Sequence, residues 1–192
     1  MRHKHQIRTS LILGTIALLA MGGTVAYFVT SETAHNIVST SGVKIALNEL
    51  DGPAGSKPFH DLENITAGET YSKIPYIENI DTEPVWVRAK ISLIQTTGDG
   101  TETPVTDFSP LMTLQNLGTH WLLNSDDGFY YYDSALSTGE RTESIFESVK
   151  FADVIGDEYQ LSTYTLTVTA EATQVKHNGT SALDASWTES GA

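Results

Sequence analysis

The chain has 192 residues, a formal net charge of −13 and no cysteine. An acid excess of this size repels nucleic acid and anionic lipid, which sets DNA binding aside while leaving divalent cations as compatible ligands. The missing cysteine removes disulfides, thiol catalysis and thiolate metal sites together, so stability has to come from packing and hydrogen bonds.

Residues 1–10 carry Arg2, Lys4 and Arg8 without an acid, and residues 11–26 run uncharged. A basic start followed by an apolar stretch is the order of a signal peptide, expected as an N-terminal helix. The stretch closes on Gly22, Gly23 and Ala26, so cleavage is expected between Ala26 and Tyr27. An uncleaved membrane anchor is the alternative, because residues 11–29 are long enough to cross a bilayer once Tyr27, Phe28 and Val29 are counted. Removing the leader takes the charge to −16, since the leader holds three basic residues and no acid. The organisation read from this is a signal peptide (1–26), an N-terminal segment (27–41) and one domain (42–192), with chain enough for a substantial core.

Beyond the leader, short alternating runs rich in Thr, Val, Ile and Tyr are separated by Gly, Pro, Asn and Asp clusters, and nothing long has helical periodicity. Val43, Ile45 and Leu47 share one face of a first strand, which a Gly52, Pro53, Gly55, Pro58 loop ends. Residues 85–93 alternate Val85, Val87, Ala89, Ile91 and Leu93 against Trp86, Arg88, Lys90 and Ser92, so the second set is expected on a wetter face. Thr97-Gly98-Asp99-Gly100 marks a hairpin. Residues 107–117 are expected to hold a helical turn or two. Residues 121–124 and 129–136 flank Ser125-Asp126-Asp127-Gly128, where Asp-Gly is a strong hairpin signal. Ser137-Thr138-Gly139-Glu140 marks a further turn, and the segment from Ile145 to Phe151 reads as either strand or short helix. Residues 164–172 alternate again, with Tyr164, Leu166, Val168, Ala170 and Ala172 against Thr165, Thr167, Thr169 and Glu171. Seven or eight strands with turns at this spacing predict an all-β fold, an antiparallel β-sandwich.

The join at Gly22-Gly23, Ala26 and Tyr27-Phe28, followed by Gly42-Val43-Lys44-Ile45, resembles the exported proteins processed by the signal peptidase SipW, a family that includes TasA and the camelysin (CalY) proteins. Residues 65–93 are similar to that family's turn, strand, Asn turn and second strand, although Ala67-Gly68 lacks the family's proline and Ile80-Asp81 follows Asn79 where the family has glycine. Residues 129–151, 166–174 and the closing Ala185-Ser186-Trp187 resemble a subgroup of the same proteins. The resemblance implies a jelly-roll-like sandwich, a Gram-positive extracellular or biofilm-matrix setting, SipW as a partner during export, and an N-terminal donor strand with Tyr27, Phe28 and Val29 filling a neighbour's groove.

The camelysin branch is classed as a metallo-endopeptidase, yet H-E-x-x-H, which places two zinc-binding imidazoles one turn apart, does not occur here. Its nearest string is His60-Asp61-Leu62-Glu63-Asn64, and His35, His120 and His177 are far apart in sequence. Asp126-Asp127 and Asp157-Glu158 are candidate calcium ligands, with ordinary turn chemistry as the alternative. No G-x-S-x-G or phosphate-cradling loop is present. Catalytic, cofactor and metal residues are therefore expected to be none, with calcium and zinc as the metals to consider. Trp121, Tyr130 and Tyr132 form a candidate binding surface for carbohydrate or protein, weighed against core packing of the same aromatics.

The expected function is a secreted structural subunit of an extracellular fibre or matrix, binding copies of itself and other matrix or cell-surface proteins, with no nucleic acid and with membrane contact only through the uncleaved leader. The alternatives are a camelysin-like secreted peptidase and a surface adhesin or carbohydrate-binding module.

Overall fold

A computed structural model of the chain describes residues 27–28, 36–40, 43–59, 65–155 and 162–187. The leader and its cleavage site at Ala26 lie outside them, as do Val29, His35, His60, Glu63 and Asp157-Glu158. The described residues form thirteen strands: β1 Tyr27–Phe28, β2 Asn36–Thr40, β3 Val43–Asp51, β4 Lys57–Pro58, β5 Thr70–Ser72, β6 Ile74–Asn79, β7 Val85–Thr96, β8 Glu102–Val105, β9 Met112–Gln115, β10 Trp121–Leu123, β11 Phe129–Tyr132, β12 Ser148–Phe151 and β13 Thr163–Gln174. The excess over seven or eight comes from pieces of two to four residues, too short to show alternation. No α-helix occurs among the described residues, and the sole helical piece is a 3-10 turn at Pro53–Gly55.

The fold is an all-β sandwich. One layer is a six-stranded sheet in the order β1-β13-β7-β11-β10, with β8 also on β7. Facing it are a four-stranded sheet, β2-β3-β4 with β6 on β3, and a three-stranded sheet, β5-β12-β9. Every pairing is antiparallel except β1 with β13. The two long alternating runs pair along their whole length, from Thr163 opposite Thr96 to Gln174 opposite Val85. That register puts both apolar sets on one side, so Val85, Val87, Ala89, Leu93, Tyr164, Leu166, Val168, Ala170 and Ala172 enter a shared core. Ile45, Leu47 and Ile77 of the four-stranded sheet and Met112, Val149 and Phe151 of the three-stranded sheet close it from the far side.

The segment from Ile145 to Phe151 resolves as a strand at its C-terminal half, β12, because Val149 and Phe151 alternate into the core while Lys150 faces out. Residues 107–117 hold one turn, in which Phe108 C=O accepts from Leu111 N and Met112 N, and then become strand β9. Between β6 and β7 the Asn79 side chain organises the connection. Its Nδ2 donates to Glu83 C=O and Leu136 C=O, both at 2.9 Å, and its Oδ1 accepts from Asp81 N. A buried amide with these partners satisfied stitches this loop to the segment after β11.

Candidate functional site

The hairpin β10–β11 closes on the Ser125-Asp126-Asp127-Gly128 turn, with Gly128 at φ 73 and its N–H donating to Asn124 C=O. The left-handed backbone there is why glycine ends the turn. Trp121, Leu122 and Leu123 face Tyr132, Tyr131 and Tyr130 across the ladder. Alternation then decides the aromatics' fate. Trp121 is buried, and Tyr130 and Tyr132 pack half-buried against the main core, with the Trp121 and Tyr132 ring centroids 5.0 Å apart. Burial pushes both tyrosine hydroxyls above their ordinary pKa. The three candidate binding residues thus lie on the core side of the hairpin, and the side chains it presents to solvent are Leu122 and Leu123, 46% and 58% exposed.

The opposite face corrects the expectation of a wet surface on β7. Trp86 and Arg88 are buried there, beneath residues 175–187, which fold back over the sheet. Arg88 and Glu171 are register partners on β7 and β13, and Arg88 Nη2 and Nε reach Glu171 Oε2 at 2.7 and 2.8 Å. Arg88 Nη1 also donates to Tyr131 Oη at 3.0 Å, and Tyr131 in turn donates to Asp127 Oδ2 at 2.6 Å. The guanidinium lies 4.0 Å from the Phe129 ring and 4.4 Å from that of Trp187. Charge-assisted hydrogen bonds and aromatic contact together are what make a buried guanidinium tolerable. Burial alone would raise Asp127, but the bonds from Tyr131 and Phe129 N outweigh it and hold its carboxyl below the usual range. Asp127 is therefore committed to its turn and to this cluster.

The cover is itself tied down. Trp86 Nε1 donates to Asn178 C=O at 3.1 Å, Asn178 Oδ1 accepts from Ser186 N at 2.7 Å, and Trp187 Nε1 donates to Ala182 C=O at 2.9 Å. Sequence reasoning missed the cluster of Arg88, Glu171, Asp127, Phe129 and Trp187. One signal was there to find: opposite charges on two strands of matching alternation. The cover gave none, because residues 175–187 have no periodicity.

Two described histidines remain. His177 sits exposed in a turn at φ 58. His120 Nδ1 bonds Asp133 Oδ2 at 2.8 Å, an exposed pair that raises the imidazole above its ordinary value and lowers the carboxyl. Ser134 Oγ donates to Asp133 Oδ1, so the carboxylate, and not the imidazole, stands in the middle of the three. No base is set against a nucleophile in that order. Among the described residues no group of three or more His, Asp or Glu converges in a way that could hold a metal ion.

The remaining marked region is the N-terminal segment. Tyr27 and Phe28 run parallel to Thr163 and Tyr164 on the outer side of β13, and Asn36–Thr40 pair with Val43–Leu47. Comparison with protein-family models, curated proteins and solved structures finds no match. What fold and side chains define is an acidic β-sandwich with one sheet face sealed by its own chain and with strand edges at the ends of that sheet.

Proposed function

We propose that the chain is a secreted structural subunit of an extracellular fibre or biofilm matrix, TasA-like, that assembles by strand donation after SipW removes its leader. The observation that carries this reading is the placement of Tyr27–Phe28 as a two-residue parallel strand at the edge of the six-stranded sheet. So short a pairing costs few hydrogen bonds to rearrange, and sheet edges accept strands added from another copy. Addition of this kind does not close on itself, so repetition gives a filament. Its partners are copies of itself together with other matrix or cell-surface proteins. A peptidase or sugar-binding role draws no support from Trp121, Tyr130, Tyr132 or the described histidines.

The chain beginning at Tyr27 is expected to form filaments by electron microscopy, and the same chain without residues 27–36 to remain a folded monomer. If the truncated protein elongates as readily as the intact one, strand donation is wrong. A secreted form with the mass of the full 20.9 kDa chain would overturn cleavage between Ala26 and Tyr27.

A further inference from the structure

We infer that the outer edge of β10 is the seat for the Tyr27–Phe28 strand of a second copy. This rests on the strand-donation reading and adds to it the acceptor. Asp133 N donates to His120 C=O and Asn124 N to Phe129 C=O, so the even-numbered residues of β10 bond β11. By the alternation of an antiparallel ladder, the N–H and C=O of Leu123 point the other way, where no described strand lies.

Three observations choose the occupant. First, the edge exposes apolar side chains on both faces of the sheet: Leu122, opposite Tyr131, on the Arg88 side, and Leu123, opposite Tyr130, on the core side. A strand laid there is favoured if consecutive residues are apolar, and Tyr27-Phe28-Val29 is such a run. Second, Tyr27-Phe28-Val29-Thr30-Ser31 and Trp121-Leu122-Leu123-Asn124-Ser125 both lack charged side chains, in a chain whose net charge without the leader is −16. Contact through these two stretches brings copies together with the least like-charge repulsion. Third, β1 and β10 are the opposite ends of one sheet, so the addition continues that sheet head to tail from copy to copy. Of the remaining edge strands, β4 carries Lys57 and Pro58 and β8 carries Glu102 and Pro104, residues that discourage pairing; β2, β5 and β9 are as free of charge and proline as β10, but they do not lie in the sheet that ends on β1.

The absence of native cysteine makes the test clean. In the chain beginning at Tyr27, Leu123→Cys mixed with Tyr27→Cys or Phe28→Cys, the two covering both faces, is expected to give disulfide-linked mixed dimers on oxidation. Leu122→Lys with Leu123→Lys, folded by circular dichroism, is expected to elongate at least tenfold more slowly. If the parent makes filaments and the double lysine variant matches it, or no mixed dimer forms, β10 is not the acceptor although strand donation stands. If Leu123→Cys alone dimerises as fast as the mixture, β10 pairs with its own copy and the inference fails. A parent that forms no filaments overturns the donation reading itself.

Discussion

Arg88–Glu171 and His120–Asp133 are ion pairs of nearly equal length, 2.7 and 2.8 Å, at the β10–β11 end of the molecule. In the first, the side chains are 9% and 12% exposed; in the second, 54% and 37%. Water does for the exposed pair what Tyr131, Phe129 and Trp187 must do for the buried one. Losing a partner therefore strands a charge in one case and leaves it solvated in the other. The difference teaches that distance alone says little about what an ion pair contributes.

The largest effect is expected from Arg88→Ala, which leaves Glu171 buried without its ion-pair partner and should lower unfolding stability by about 3–5 kcal/mol in urea titration. Replacing both partners, Arg88→Met with Glu171→Leu, should recover most of that loss, since an apolar pair of similar volume leaves nothing unpaired. A double variant as unstable as Arg88→Ala would show that the cation itself holds the cover in place. Next comes Trp187→Ala, expected to cost about 1–2 kcal/mol through the lost stacking on Arg88. In an Arg88→Ala background the same change should cost clearly less, a coupling that a double-mutant cycle reads directly.

The smallest effect belongs to His120–Asp133. The imidazole's folded pKa lies above its unfolded value, so its contribution is complete below about pH 6.5 and is lost as pH rises through the folded value. The Asp133 carboxyl is lowered, so its share is present above about pH 4 and is lost as pH falls through its folded value. The melting temperature of Asp133→Asn should therefore fall slightly below wild type between about pH 4 and 6.5, and the gap should narrow as pH rises through the folded imidazole value. A gap that does not narrow would assign the pair a role other than charge.

Strands β7 and β13 were legible because nine residues of alternation in each leave little choice of face, and the β10–β11 hairpin because Asp-Gly demands a turn. Period-two alternation in residues 129–132 likewise sets Phe129 and Tyr131 opposite Tyr130 and Tyr132. Alternation alone misjudges Trp86 and Arg88, since which face of a sheet is dry depends on what later chain lies over it. The covering segment works through Asn178, Ser186 and Trp187, single contacts that leave no repeating mark. The exposed edge at Leu122 and Leu123 was hidden for a related reason: two adjacent leucines look like core until the ladder shows them on opposite faces at the sheet's end.

The full-length pairing of β7 with β13 joins residues 85–96 to 163–174. Half of the large sheet's inner face, from Tyr164 to Ala172, arrives only with β13. Loop closure over such separations is slow, and until β13 exists β7 has only β8 and β11 to pair with. Local ladders such as β2–β3 and β10–β11 can form as they emerge, but the core cannot. A chain shortened before Thr163 is expected to stay open and protease-sensitive, so folding of this molecule waits on the emergence of β13.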